Sequence, residues 1–227
     1  MLDLKLPTHR RGFLGSVAAG AATLGLSSLV RPWALAGQAA QGPAKEDPGL
    51  TAWLNKVKGK HRQVYDMPEV NSGFGLAWSR IFYMTNNETG VPDSDISVLV
   101  VLRHNALPLA FANSAWAKYK LGEVFQITDP KTKAPSVRNT FANVQPDELP
   151  LPKMSVNDLL ASGVLIGACN MAIKFYSAIV SKAQNVPVEQ VRRDWTAAVL
   201  PGIQIVPSGV WAVNRAQEHG CTYCFAG

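Results

Sequence analysis

The chain predicts an α/β fold: a three-layer α/β/α sandwich around a mostly parallel sheet of about five strands. Three observations predict it. Short apolar runs alternate with amphipathic stretches at the spacing of strand–helix units. Ile96-Ser97-Val98-Leu99-Val100-Val101-Leu102 is β-branched and apolar on both faces, as a parallel strand covered by helices on either side must be. Pro68, Gly163 and Gly220 fall at the junctions between runs.

The elements follow in order. His61–Met67 reads as a strand closed by Pro68, and residues 71–75 (Asn-Ser-Gly-Phe-Gly) as a turn cluster. Leu76, Ala77, Ile81, Phe82 and Met84 give residues 76–86 a helical face, and a loop runs from 86 to 95. The Ile96–Leu102 strand ends at Arg103-His104-Asn105, and residues 113–121 suit a helix. Residues 122–152 hold several prolines and polar residues, and read as a long surface connection. Ser155 is an N-cap with Asp158 three residues on, an approximate capping box for a short helix stopped by Gly163. Residues 164–168 form a strand running into Cys169-Asn170, and Met171, Ile173, Phe175, Ile179 and Val180 continue as a helix. A helix over 188–199, the strand Ile203–Val206, a helix over 210–219 and a last short strand over 221–226 complete the chain. Ligands of such sheets bind beyond the carboxyl ends of the strands. That rule gathers Asn71, Ser72, His104, Cys169, Ser208 and Gly209 on one edge.

The first 36 residues read as an address. Arg10-Arg11-Gly12-Phe13-Leu14 precedes a mild apolar stretch and Ala34-Leu35-Ala36, an A-x-A cleavage site. The paired arginines resemble the twin-arginine export signal. Cleavage there places the mature chain in the periplasm, delivered by the twin-arginine translocase. Residues 37–51 read as a flexible leader, and 52–227 as one domain. The formal charge of +6 is concentrated at the start: residues 1–36 hold four of the 22 Lys and Arg and one of the 16 Asp and Glu. The remaining +3 argues against a nucleic-acid partner. No run of 18 apolar residues follows the N-terminus, so no stable membrane span is expected.

Residues 154–169, Met-Ser-Val-Asn-Asp-Leu-Leu-Ala-Ser-Gly-Val-Leu-Ile-Gly-Ala-Cys, resemble the helix–Gly–strand–Cys segment of the DsrE/DsrF-like family. Residues 202–212, with the helix, Gly220 and terminal strand after them, are similar to that family's C-terminal end. The strand Ile96–Leu102, with His104 and Pro108-Leu109-Ala110-Phe111, fits its second strand. The resemblance covers roughly residues 60–226 and is poorest over 121–150. It implies a compact α/β domain, a homo-oligomer (trimer or hexamer) and, often, sulfur transfer through a cysteine persulfide. Cys169 matches the family cysteine, and the implied partners are sulfur donor and acceptor thiols or proteins. The family's best-studied relays work in the cytoplasm, so an exported relative departs from them in compartment.

The residues themselves offer matching chemistry. A thiol attacks only as its thiolate, and a helix N-terminus favours that form. Cys169 sits where a strand gives way to a helix. The competing reading is a buried cysteine acting as a small hydrophobe. His104 is the candidate acid/base partner, or else a surface or interface histidine. Asn105, Asn170, Ser208 and Gly209 are candidate ligand-binding positions, though Ser208 reads first as a helix N-cap. His219, Cys221 and Cys224 leave a disulfide, a metal site or packed thiols open; the Cys-Thr-Tyr-Cys spacing lacks the helix start of a redox pair and the histidine of a haem site. No nucleotide, zinc-protease or serine-hydrolase motif is present, and no cofactor is expected. The expected function is that of an exported sulfur carrier or sulfurtransferase. The alternative is a non-catalytic oligomeric module that binds a ligand or metal and keeps Cys169 as a structural residue.

Overall fold

The computed structural model describes residues 47–227, apart from 143, 145–147 and 150. The expected export signal and most of the leader lie outside the described residues. The chain order is α1 (Pro48–Leu54), β1 (His61–Met67), α2 (Phe74–Glu88), β2 (Ile96–Leu102), α3 (Asn113–Tyr119), α4 (Leu121–Val124), α5 (Val156–Ala161), β3 (Leu165–Cys169), α6 (Asn170–Gln184), α7 (Val188–Ala197), β4 (Ile203–Val206), α8 (Gly209–Glu218) and β5 (Thr222–Phe225). The five strands form one sheet in the order β4-β3-β2-β1-β5, and every neighbouring pair is parallel.

Alternation along the strands divides the core in two. Val64, Leu99, Val101 and Val206 pack with Trp53 and Leu54 of α1 and Ala212 and Ala216 of α8. Tyr65, Met67, Val98, Val100, Leu102, Ile166 and Ala168 pack on the other side against α2, α3, α5, α6 and α7. The uneven coverage follows from topology. From β1 to β4 each strand is added on the same side of its predecessor, and right-handed crossovers put those connections on one face. The chain then returns to the far side of β1 as β5, so α8 lies on the opposite face.

The capping box at α5 is present: Ser155 Oγ accepts the Asp158 N–H at 3.1 Å, and Asp158 accepts from the Ser155 N–H. Two expectations need correction. The flexible leader does not reach residue 51, because α1 begins at Pro48. Asp47 caps it, accepting the Gly49 N–H at 2.8 Å, and Trp53 packs under Gly167 of β3.

Residues 122–152 are not a mere surface connection. Asn139 is buried and its Nδ2 donates to the carbonyls of Leu109 and Phe111 at 2.9 and 2.8 Å. Phe141 and Ala142 enter the core. One asparagine thus pins a proline-containing segment that has little regular structure of its own.

A charge network holds the same segment. Arg138 Nε donates to Asp129 at 2.8 Å, and its other nitrogens reach Glu148, whose side chain is almost fully buried. Burial pushes the Asp129 carboxyl up, but the N–H groups of Lys131 and Thr132 and the Arg138 guanidinium outweigh it, leaving the carboxyl below its ordinary value of 3.8. Arg138→Ala takes the guanidinium from two buried carboxylates, leaving Lys131 beside Glu148 at 3.8 Å, and should cost on the order of 3 kcal/mol in denaturant unfolding. A group whose folded-state pKa is depressed stabilises above its unfolded value and loses that contribution as pH falls through the folded value. The stability gap between wild type and Asp129→Asn should therefore be full near neutrality and close in acid below pH 3.8. A gap that stays constant from pH 7 to acid would contradict the network's role.

Candidate functional site at the carboxyl edge of the sheet

The reversal of the chain after β4 makes the β3–β4 edge a topological switch point. α6 leaves β3 on one face of the sheet and α8 leaves the adjacent β4 on the other. Open parallel sheets bind ligands where neighbouring connections diverge in this way. Cys169, the last residue of β3, is the Cα partner of Val206, the last of β4.

Both helices that open there are capped by a side chain. Cys169 Sγ accepts the Ala172 N–H at 3.3 Å, and Ser208 Oγ accepts the Trp211 N–H at 3.1 Å. Ser208 is therefore spent on its helix as an N-cap. Gly209 is buried beneath Arg103: a Cβ there would come within 2.6 Å of Arg103 Cδ. Arg103 reaches across it to a buried carboxylate, Asp66, donating from Nε at 2.6 Å and from Nη2 at 2.9 Å. Tyr223 on β5 donates to the same carboxylate at 3.0 Å. The bond to Asp66 outweighs burial and holds the Arg103 guanidinium more firmly protonated than usual; the charges of Asp66, Tyr223 and Cys169 add to this. A cation is thus fixed within electrostatic reach of the thiol.

Cys169 is 6% exposed and belongs to the core beside Ala168 and Ile173, where the sequence reading needs a reachable sulfur. The strand-to-helix turn brings it back toward the helix-rich face instead of into solvent. Asn170 opens α6 and is half-buried.

His104 does not join the thiol. It is exposed, has φ 51°, and sits with its ring edge-on to Tyr176. Its Nδ1 is 3.2 Å from the Tyr176 hydroxyl and 3.9 Å from Glu69. The Tyr176 hydroxyl donates to Asn105 Oδ1 at 2.6 Å, and Asn105 Nδ2 donates to Glu69 at 2.8 Å. Burial, then the charge of Glu69, keeps the Tyr176 phenol protonated beyond its usual range. Asn71, Ser72 and Asn105 lie along this second group, around a cleft of about 470 Å³. The predicted edge therefore holds two centres: Cys169 with Arg103, Ser208 and Gly209, and His104 with Asn105, Tyr176 and Glu69.

Of the three roles left open for the C-terminal cysteines, the described residues show neither disulfide nor metal cluster, and both thiols are packed. Cys221 and Cys224 are both free and face opposite sides of the sheet, Cys221 with α8 and Cys224 against the larger core. A strand puts positions i and i+3 on opposite faces, so no local disulfide can close. Burial pushes the Cys221 thiol up to about 11 and raises that of Cys224. His219 instead directs Nδ1 at the Arg215 carbonyl, 3.0 Å away. Among the described residues no group of three His, Cys, Asp or Glu side chains could hold a metal.

Asp66, Glu69, Tyr176 and Tyr223 are the site residues that the sequence reading missed. Asp66 had a signal: it is the only acidic residue in a strand whose second half is buried. The tyrosines had none, since each meets its partner across a long sequence separation.

No family model matches the chain, and no curated protein matches it. Among solved structures, a protein of unknown function from Methanobacterium thermoautotrophicum is similar, at 16% identity and a TM-score of 0.36, over 73% of this chain and 98% of that one.

Gly209→Ala tests how tightly the first centre is built. The new methyl group meets Arg103 at both Cβ and Cδ, so the guanidinium should leave Asp66 and stability should fall by roughly 1–3 kcal/mol. A variant as stable as wild type, with the Arg103–Asp66 pair intact in its crystal structure, would contradict the packing described.

Proposed function

We propose that this chain is an exported sulfur carrier of the DsrE-like type, loaded on Cys169. The observation that carries the reading is the position of that sulfur. It ends β3 at the switch point, accepts an N–H from the first turn of α6 and lies within electrostatic reach of Arg103. These groups suit a sulfur that takes on negative charge. The resemblance over residues 154–169 and 202–212 supports the same residue, and the α/β/α fold agrees with it.

The step is simple displacement. The Cys169 thiolate attacks a sulfane sulfur of a polysulfide or persulfide donor. One S–S bond forms, the donor's S–S bond breaks, and the shortened donor leaves as its thiolate. An acceptor thiolate then attacks the outer sulfur and Cys169 leaves as the thiolate. No net oxidation occurs. Mass spectrometry after polysulfide treatment should show a gain of one sulfur atom on wild type and none on Cys169→Ser. Absence of the adduct on wild type, or its persistence in Cys169→Ser, contradicts the proposal.

The 6% exposure of Cys169 favours a second reading, a binding or assembly module in which the cysteine is structural. On that reading Cys169→Ala changes stability and nothing else.

Export to the periplasm rests on Arg10-Arg11 and Ala34-Leu35-Ala36. Cells should contain a mature chain beginning after Ala36, and Arg10→Lys with Arg11→Lys should leave the uncut precursor in the cytoplasm. Normal export of that double variant would remove the twin-arginine assignment. Among the described residues no helix is long and apolar enough to cross a membrane.

A further inference from the structure

The cleft beside His104 lies apart from the sulfur chemistry, and Cys169 does not line it. Glu69, Val70, Asn71 and Ser72 follow β1, Asn105 follows β2, and residues 125–128 and Phe141 close it. Its 470 Å³ falls in the range of small-molecule sites. We propose that it binds a small neutral polyhydroxylated compound, of about monosaccharide size.

The lining argues for that class. Asn71, Ser72, Gln126 and Thr128 are exposed at the border of the cleft, and their side chains make no hydrogen bond to a described residue, so they are free to meet a ligand in place of water. Amides and hydroxyls both donate and accept, as ligand hydroxyls do. Asn105 and Glu69 are pre-oriented by the chain from Tyr176, which fixes Asn105 Oδ1 as the acceptor and Glu69 as the acceptor of Asn105 Nδ2. Phe125 and Phe141, both largely buried, give the cleft an apolar floor. Among the described residues no Lys, Arg or His lines the cleft, so an anion would find no counter-charge there and would meet Glu69. A cation would find only Glu69, which is half-exposed and already accepts from Asn105.

The backbone points to the same place. Asn71, Ser72 and Gln126 have φ of 41°, 52° and 55°, in the left-handed region that residues with a Cβ rarely enter. Neighbouring His104, at 51°, shares it. Of the eight such residues among those described, Asn71, Ser72 and Gln126 line the cleft, and Lys120, Lys133, Lys153 and Asn185 lie elsewhere.

The test is an NMR titration of the full chain, following side-chain amides of Asn71, Asn105 and Gln126, with glucose and ribose as probes and choline and gluconate as the cationic and anionic controls. At least one sugar should give saturable shifts confined to these amides, and the controls should not. Gln126→Gly removes an unpartnered side chain and suits the positive φ. It should therefore match or exceed wild-type thermal stability while weakening the sugar about tenfold or more. No saturable shift with either sugar overturns the proposal. So does equal response to choline or gluconate, or full affinity in Gln126→Gly. Polysulfide loading of Cys169→Ser and wild type reads the other centre, so either result stands without the other.

Discussion

The carboxyl edge of this sheet depends on one steric arrangement, the passage of Arg103 over Gly209 to the carboxylate of Asp66. It ties the end of β2 to β1 and, through Tyr223, to β5. It also sets the first turn of α8 against a guanidinium. Any side chain at position 209 competes for the space that Arg103 fills. A neutral residue at 103 would leave Asp66 buried without a counter-charge. Arg103, in the turn after β2, thus stands at the β3–β4 switch point, and its charge reaches the sulfur of Cys169.

Two chemistries share the edge without sharing residues. Around Cys169 the groups are a thiol, a guanidinium and helix N–H donors, and the surroundings are largely apolar. Around Asn105 they are amides, hydroxyls, one carboxylate and a phenol, and the surroundings are open. The sheet separates them because strand ends are spaced along the edge, and the strained turn at His104 carries its ring to Tyr176 and not to Cys169. An acid/base role for His104 would therefore act on Tyr176 and Glu69 and not on the sulfur.

The legible parts of the sequence were those written in local pattern. The apolar run Ile96–Leu102, the Ser155–Asp158 box and the Ser208 cap are each fixed by residues a few positions apart, and each stands in the structure. So does the order of strands and helices, which the breakers punctuate. What did not show was decided by distance along the chain. Asn139 looks like a loop residue until Leu109 and Phe111 supply its acceptors, 30 and 28 residues away. Trp53 makes α1 part of the fold only because Gly167 leaves room beneath β3. The burial of Cys169 is of the same kind: its spacing places it at a strand end, but the direction of the first turn of α6 decides whether the sulfur meets water.

That direction is where the functional account is most exposed, and alkylation kinetics read it directly. The rate of Cys169 modification by iodoacetamide in the folded protein should be compared with the rate of global unfolding under the same conditions. The account predicts that Cys169 reacts faster than the protein unfolds, because a small reagent enters at the switch point between β3 and β4. Modification of Cys169 only at the rate of global unfolding would contradict it and leave the cysteine a core residue.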